Sequence, residues 1–408
     1  MAVWVSYKEL FEAEDGLTLE SILPELPSTA VFQRIAYINS QIHLYEREQR
    51  NQVDLFNYWI EFLNSTDKEE LLNRLSDLLK KQGPRKVMFF TNMSSMTLAQ
   101  KALEFLNEDH RESLTPEEEY MCLLAYFMAN DLLDEKQKDI LNPAKIKYCW
   151  SSVDQFIHTK LLLLIAESEL IEHKNFVIQL IKGVKFFKYI EGSEEFTDYL
   201  NDFTENLGFD SWHIYLLRIA DIYGNLINNN SDKSVIRHGI IINPPIAAII
   251  DFFDSMSVNF DFNHQQLERL NTGQIFDYKI FRERPLFKVS SNEYCFLNQN
   301  FFIDKFYEAL NFQFYNYIHT NKNYQTNYQG FKGTLSSEFS EQTLFFDIME
   351  AILPGDNIKV KGTEYDYEYS DYYVRNSNQI FLFEFKDYLL KAEIKHSYNF
   401  DLVSNELK

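Results

Sequence analysis

Apolar residues recur every three or four positions from the start of the chain to about Val235, the spacing that gathers them on one side of an α-helix. Leu71, Leu72, Leu75, Leu78 and Leu79 make such a stripe between Asp67 and Lys81, in a segment that opens at Ser65-Thr66 and stops at Gly83-Pro84. Thr115-Pro116-Glu117-Glu118-Glu119 marks another start. It has a cap residue, a proline in the first turn and acids suited to the positive end of the helix dipole. That helix is expected to run to about Leu133. The same periodicity predicts helices over Val31–Glu48, Leu55–Leu63, Met96–Asn107, Val153–Ile171, Glu194–Asn206 and Trp212–Ile227.

After Val235 the period changes. Gly239–Ile242 is a short apolar segment running into the Asn243-Pro244-Pro245 turn, with a helix start at Pro245. Pro285–Val289 and Tyr294–Leu297, separated by Ser290–Glu293, read as a hairpin, followed by an aromatic-rich helix over Phe301–Tyr317. Residues 320–333 are polar and amide-rich with flanking glycine, the composition of a linker. Beyond it Ser336-Ser337 can cap a helix that ends at Leu353 before Pro354-Gly355, with Phe345, Ile348 and Ile352 as its inward stripe. A short strand at Ile358 and Val360 follows, then Tyr365–Val374 and Gln379–Asp387 as paired strands about a polar Arg375–Asn378 turn. The expected organisation is therefore a helical domain (1–234), a small α+β bridging region (235–319), the linker (320–333) and a terminal α/β domain (334–408).

Chemistry concentrates in that terminal domain. With the turn centred between Asn376 and Ser377, Val374 faces Gln379 and Asp371 faces Leu382, so Asp371 is a same-face diagonal neighbour of Glu384, about 7–8 Å away. Period-two alternation puts Ile380, Leu382, Glu384 and Lys386 on one face and Phe381, Phe383 and Phe385 on the other. Glu341 falls on the inward stripe of the preceding helix, where a carboxylate needs a partner because isolated buried charge is costly. Glu338, one turn earlier, is a second candidate that its first-turn position equally explains. Glu364, Asp366 and Glu368 have the opposite parity to Asp371 and suit a solvated ladder; Asp387 points away from Lys386.

Asp371 followed by Glu384-Phe385-Lys386 on an apolar strand resembles the signature of the PD-(D/E)XK nuclease superfamily, with Ser370 where that family usually has proline. The resemblance is confined to the stretch after Gly330. It implies a restriction-endonuclease-like fold in which a helix supplies Glu341, the second strand Asp371, and the third Glu384 and Lys386. The carboxylates would hold Mg²⁺ or Mn²⁺, with open positions for water and a phosphate oxygen. The implied activity is metal-dependent hydrolysis of phosphodiesters, with DNA expected ahead of RNA and the choice between them left open by the sequence, in the restriction and anti-phage defence setting where such architectures occur. The helical region would then select substrate, gate the site or bind a protein partner. Family cores continue past the lysine into a helix and a further strand, whereas only Tyr388–Lys408 remain, with one helix expected over Tyr398–Leu407. Either earlier elements or another subunit complete the core, or the domain is a shortened form. The tripeptide alone says little, since Glu172-His173-Lys174 and Glu393-Ile394-Lys395 share it. The competing reading is a non-enzymatic interaction protein with a degenerate or truncated domain, whose Glu384 and Lys386 merely protect an edge strand.

Composition bounds these expectations. The 408 residues carry a net charge of −22, which opposes general affinity for phosphate backbones and leaves Arg282, Arg284 and Lys288 as the best cluster for a phosphate contact. Cys122, Cys149 and Cys295 are odd in number and far apart, as buried reduced thiols rather than a disulfide frame would be. The N-terminus lacks a basic-then-apolar leader, and the apolar run Leu161–Ile165 suits a buried helix rather than a membrane contact, so a cytoplasmic protein is expected.

Overall fold

The computed structural model describes residues 3–11, 16–45, 52–82, 87–107, 109–140, 174–229, 241–242, 247–260, 278–352, 358–361, 372–376, 378–383 and 402. The described chain is mostly helical with small sheets, one of them mixed, and it forms two compact units. One comprises Met1–Lys174, Ala220–Ile303 and Lys391–Lys408; the other comprises Asn175–Ile219 and Asp304–Leu390. These units interleave stretches that the sequence reading keeps in consecutive blocks. The expected helices over Val153–Ile171 and Tyr398–Leu407 lie outside the described residues, apart from Leu402.

The first unit is built on the helix Ser28–Tyr45, which packs on Asn92–Glu104, itself packed on Pro116–Ile140. Val31, Phe32, Ile35, Ala36 and Ile38 supply its apolar burial, and Phe32 stacks on Phe287 with ring centroids 4.2 Å apart. Pro116–Ile140 runs past the expected end at Leu133. The residues that follow, Asp134-Glu135-Lys136-Gln137-Lys138-Asp139, carry no apolar stripe to reveal it. Val3–Trp4 pairs in parallel with Val87–Met88, a contact too short to leave a pattern in sequence. The expected hairpin forms as Leu286–Lys288 antiparallel to Tyr294–Phe296, at the centre of a four-stranded sheet with Ser257–Val258 and Ile241–Ile242 at its edges.

The second unit contains Phe176–Gly192, a helix that the periodicity did not predict. Val177, Ile178 and Ile181 remain exposed on it, so apolar residues occur all round and no single stripe stands out. Gly183 lies where a β-carbon would come within 2.2 Å of the Phe306 carbonyl oxygen, which fixes glycine at this approach. The stretch read as a linker is not one. Tyr328–Thr334 is helical, begins where the Asn327 side chain accepts from the Gly330 N–H at 2.9 Å, and buries Phe331 completely. Because that helix runs directly into Leu335–Phe345, Ser336 and Ser337 are interior positions rather than caps, and the Ser337 hydroxyl donates to the Gly333 carbonyl at 3.2 Å. Leu335–Phe345 is π-helical, Phe346–Ile352 is α-helical, and a three-stranded antiparallel sheet follows in the order Ile358–Lys361, Tyr372–Asn376, Gln379–Phe383.

Candidate functional site

The terminal hairpin is where the sequence placed the chemistry, and its register decides which side chains share a face. Tyr372 pairs with Phe383, Tyr373 with Leu382, Val374 with Phe381, Arg375 with Ile380 and Asn376 with Gln379. This corrects the expectation that Val374 faces Gln379. The connection is the short two-residue kind that hairpins favour, so Arg375 and Asn376 belong to the strand and the ladder shifts by two residues.

One face of the hairpin is a core. Tyr372 and Val374 are buried against Phe346 and Met349, with Phe345 and Phe383 packed at the margin. The other face is open: Ile380 is 58% and Leu382 67% exposed, and Arg375 is exposed too. Burial of Phe346 and Met349 also corrects the predicted helix stripe. Ile348, expected inward, is 46% exposed, because two apolar ridges lie side by side on this α-helical segment and the one through Phe346 and Met349 is the one that packs.

Of the four residues proposed to carry catalysis, Glu341 alone is described; it is half-buried in the π-helical stretch. Asp371, Glu384 and Lys386 lie outside the described residues, as do Glu364, Asp366, Glu368 and Asp387. Glu338 is exposed and accepts a hydrogen bond from the Tyr189 hydroxyl at 2.7 Å. Among the described residues no group of three or more His, Cys, Asp or Glu side chains is placed to hold a metal ion.

The basic cluster is engaged within its own unit. Lys288 pairs with Asp254 at 2.7 Å, Arg284 donates to the Ser257 carbonyl at 3.0 Å, and Arg282 lies over the Phe301 ring at 5.2 Å. Tyr294 also donates to Asp254 at 2.5 Å; burial and that carboxylate push its hydroxyl well above the usual phenol range. The acid run at the start of Pro116–Ile140 divides. Glu118 completes the cap, accepting from the Thr115 N–H at 2.7 Å, whereas Glu119 is buried in an ion pair with Arg34. Sequence reading saw helix-start charge there and missed the pair, whose one signal was an arginine on an otherwise core-facing helix. Cys122 and Cys295 are free and buried, and burial pushes the Cys295 thiol up to about 12, leaving it unreactive. Cys149 and Leu161–Ile165 lie outside the described residues, and no described helix is long and apolar enough to cross a membrane.

Comparison with protein-family models, with curated proteins and with solved structures gives no match.

Proposed function

We propose that the chain is a divalent-metal-dependent nuclease that hydrolyses phosphodiesters in DNA, with Asp371, Glu384 and Lys386 as its working groups. The observation that carries this reading is the hairpin register. Were the pairing to continue by one pair beyond Tyr372 and Phe383, Asp371 would stand opposite Glu384, and side chains at opposed positions start from β-carbons about 4.5–5.5 Å apart. Two carboxylates that close would repel unless a cation or a shared proton lay between them, and all-oxygen donors suit Mg²⁺ or Mn²⁺. Such a metal would polarise a phosphate oxygen and lower the pKa of a bound water. Lys386, on the same face two residues beyond Glu384, would balance charge developing on the phosphate. That face also carries Ile380 and Leu382, both open to solvent, so a substrate could reach it. The proposal does not depend on Glu341, because Phe346–Ile352, which continues from its helix, packs on the other face through Tyr372 and Val374. A role in restriction or anti-phage defence rests on the resemblance alone.

Incubation of the purified chain with supercoiled plasmid and Mg²⁺ or Mn²⁺ tests the reading. Nicking is expected, and it should vanish in Glu384→Ala and Asp371→Ala. Cutting that survives either substitution removes the site assignment.

A second reading has its own observation. Ile380, Phe381 and Leu382 are 58%, 46% and 67% exposed in succession, and a run of that kind marks a contact surface for another protein. Calorimetric titration with Mg²⁺ separates the two. A heat lost in Asp371→Ala supports the nuclease, and the absence of any heat supports the interaction protein.

A further inference from the structure

The π-helical stretch Leu335–Phe345 spans 11 residues and joins the α-helix Phe346–Ile352 without a break. A π-helix bonds i to i+5 and is uncommon beyond a single turn. The Thr343 hydroxyl follows the same spacing, donating to the Glu338 carbonyl at 3.0 Å.

The sequence that follows carries two apolar ridges. Phe345, Ile348 and Ile352 lie along one line of a 3.6-residue helix, and Phe346, Met349 and Leu353 along the next. The two lines differ by one residue, about 100° of rotation. The second ridge faces the hairpin, with Phe346 and Met349 only 4% and 5% exposed, while Ile348 on the first stands 46% exposed.

Converting one π turn to α geometry removes one residue from the turn and rotates the following helix by one position. Phe345 and Ile348 would then occupy the places of Phe346 and Met349. Phenylalanine replaces phenylalanine and isoleucine replaces methionine at the hairpin contact, so the contact itself stays apolar, while Phe346 and Met349 move to the exposed places of Asp347 and Glu350. A polar contact also separates them. Asp347 is paired with Lys185, and after the step Phe346 would stand where Asp347 does.

We propose that residues 335–352 form a two-register joint beneath the terminal hairpin, latched in its present register by the Lys185–Asp347 ion pair. The step turns the side of the helix that meets the hairpin while keeping the contact apolar. It stands independently of the nuclease reading.

Cysteines placed by Ile348→Cys or Met349→Cys in the full chain, with Cys149→Ser, test the joint by thiol labelling across a urea series. Cys122 and Cys295 are fully buried and should stay silent. Position 348 is expected to label at once. Position 349 is expected to label slowly, at a rate insensitive to low urea, and about fivefold faster once Asp347→Asn removes an ion pair of ordinary surface strength. Met349→Asp should favour the other register and protect a cysteine at 348, whereas simple fraying would leave it exposed. A position 349 that labels only with global unfolding, a rate indifferent to Asp347→Asn, or a cysteine at 348 still reactive beside Met349→Asp overturns the proposal. Should Met349→Cys fail to fold, hydrogen exchange of the unaltered chain decides: amides 344–352 opening below the global limit support the joint, and protection up to that limit refutes it.

Discussion

The helix Ser28–Tyr45 and the strand Gln379–Phe383 depart from the usual partition of residues in opposite directions. The helix takes polar groups inside. Arg34 is paired with Glu119 and lies over the Phe62 ring at 5.4 Å, the Asn39 amide donates to the Leu297 carbonyl, Gln299 donates to the Ser40 hydroxyl, and His43 is bonded to the Tyr223 hydroxyl at 2.9 Å. Each contact reaches a different element, so an error in packing would leave a buried polar group unsatisfied. The strand does the reverse, leaving Ile380, Phe381 and Leu382 in solvent. Polar groups inside a core select one arrangement, whereas apolar groups left outside await something to cover them. It is this exposed strand that motivates the contact surface proposed above.

The largest effect is expected at Arg34. Arg34→Met leaves Glu119, 2% exposed, without its partner, and is expected to lower stability by about 3–5 kcal/mol in urea unfolding. The double variant Arg34→Met/Glu119→Leu should recover most of that loss, because the charge left behind causes the penalty. On the hairpin the largest effect belongs to its packed face. Tyr372→Ala removes a ring only 1% exposed from the cluster with Phe346, Met349 and Val374, at an expected cost of about 3 kcal/mol.

Such contrasts were only partly legible in the sequence. Asp67–Lys81 could be read because its leucines face one way, and the Pro116 start because cap, proline and acids coincide; the observed helices are Ser65–Gln82 and Pro116–Ile140. Phe176–Gly192 could not, since Val177, Ile178 and Ile181 blur its stripe. The hairpin strands were legible from alternation, but their register depended on how many residues the turn takes, which Arg375–Asn378 did not reveal. Ile348 was misplaced because Phe346 and Met349 form an equally apolar ridge one residue along, and periodicity alone does not say which of the two packs. The candidate site was legible only as a motif. Asp371, Glu384 and Lys386 lie outside the described residues, so what the strands add is a register two residues away from the expected one.

A smaller effect should come from Gln33, on the same helix as Arg34 but without such support. It is 1% exposed, and both ends of its amide lack a hydrogen-bond partner. Gln33→Met keeps the length and removes the unsatisfied groups, so stability should rise by about 1 kcal/mol. A loss would mean that the amide is bonded in solution and belongs with Asn39 and Ser40. Smaller still is the double variant Ile380→Lys/Leu382→Lys, expected to stay within about 0.5 kcal/mol of the parent because neither side chain is packed. A larger drop would show that the open face is covered in the folded chain.

The smallest expected change concerns pH. Asp131 accepts from the Lys8 N–H at 3.1 Å, and burial raises its carboxyl pKa above the usual value, although Ser6 and Lys8 oppose the shift. A raised folded-state pKa means that the native chain holds the proton where the unfolded chain has lost it. This group's contribution is then complete below about pH 3.9, the ordinary aspartate value, and declines as pH rises through the folded pKa. Asp131→Asn keeps an acceptor for Lys8 and removes the ionisation. Its stability relative to the parent, measured by urea midpoints at successive pH values, should therefore increase across that window and level off above it. If it decreased instead, the bonds to Ser6 and Lys8 would outweigh burial, and Asp131 would join the satisfied interior groups exemplified by Ser40.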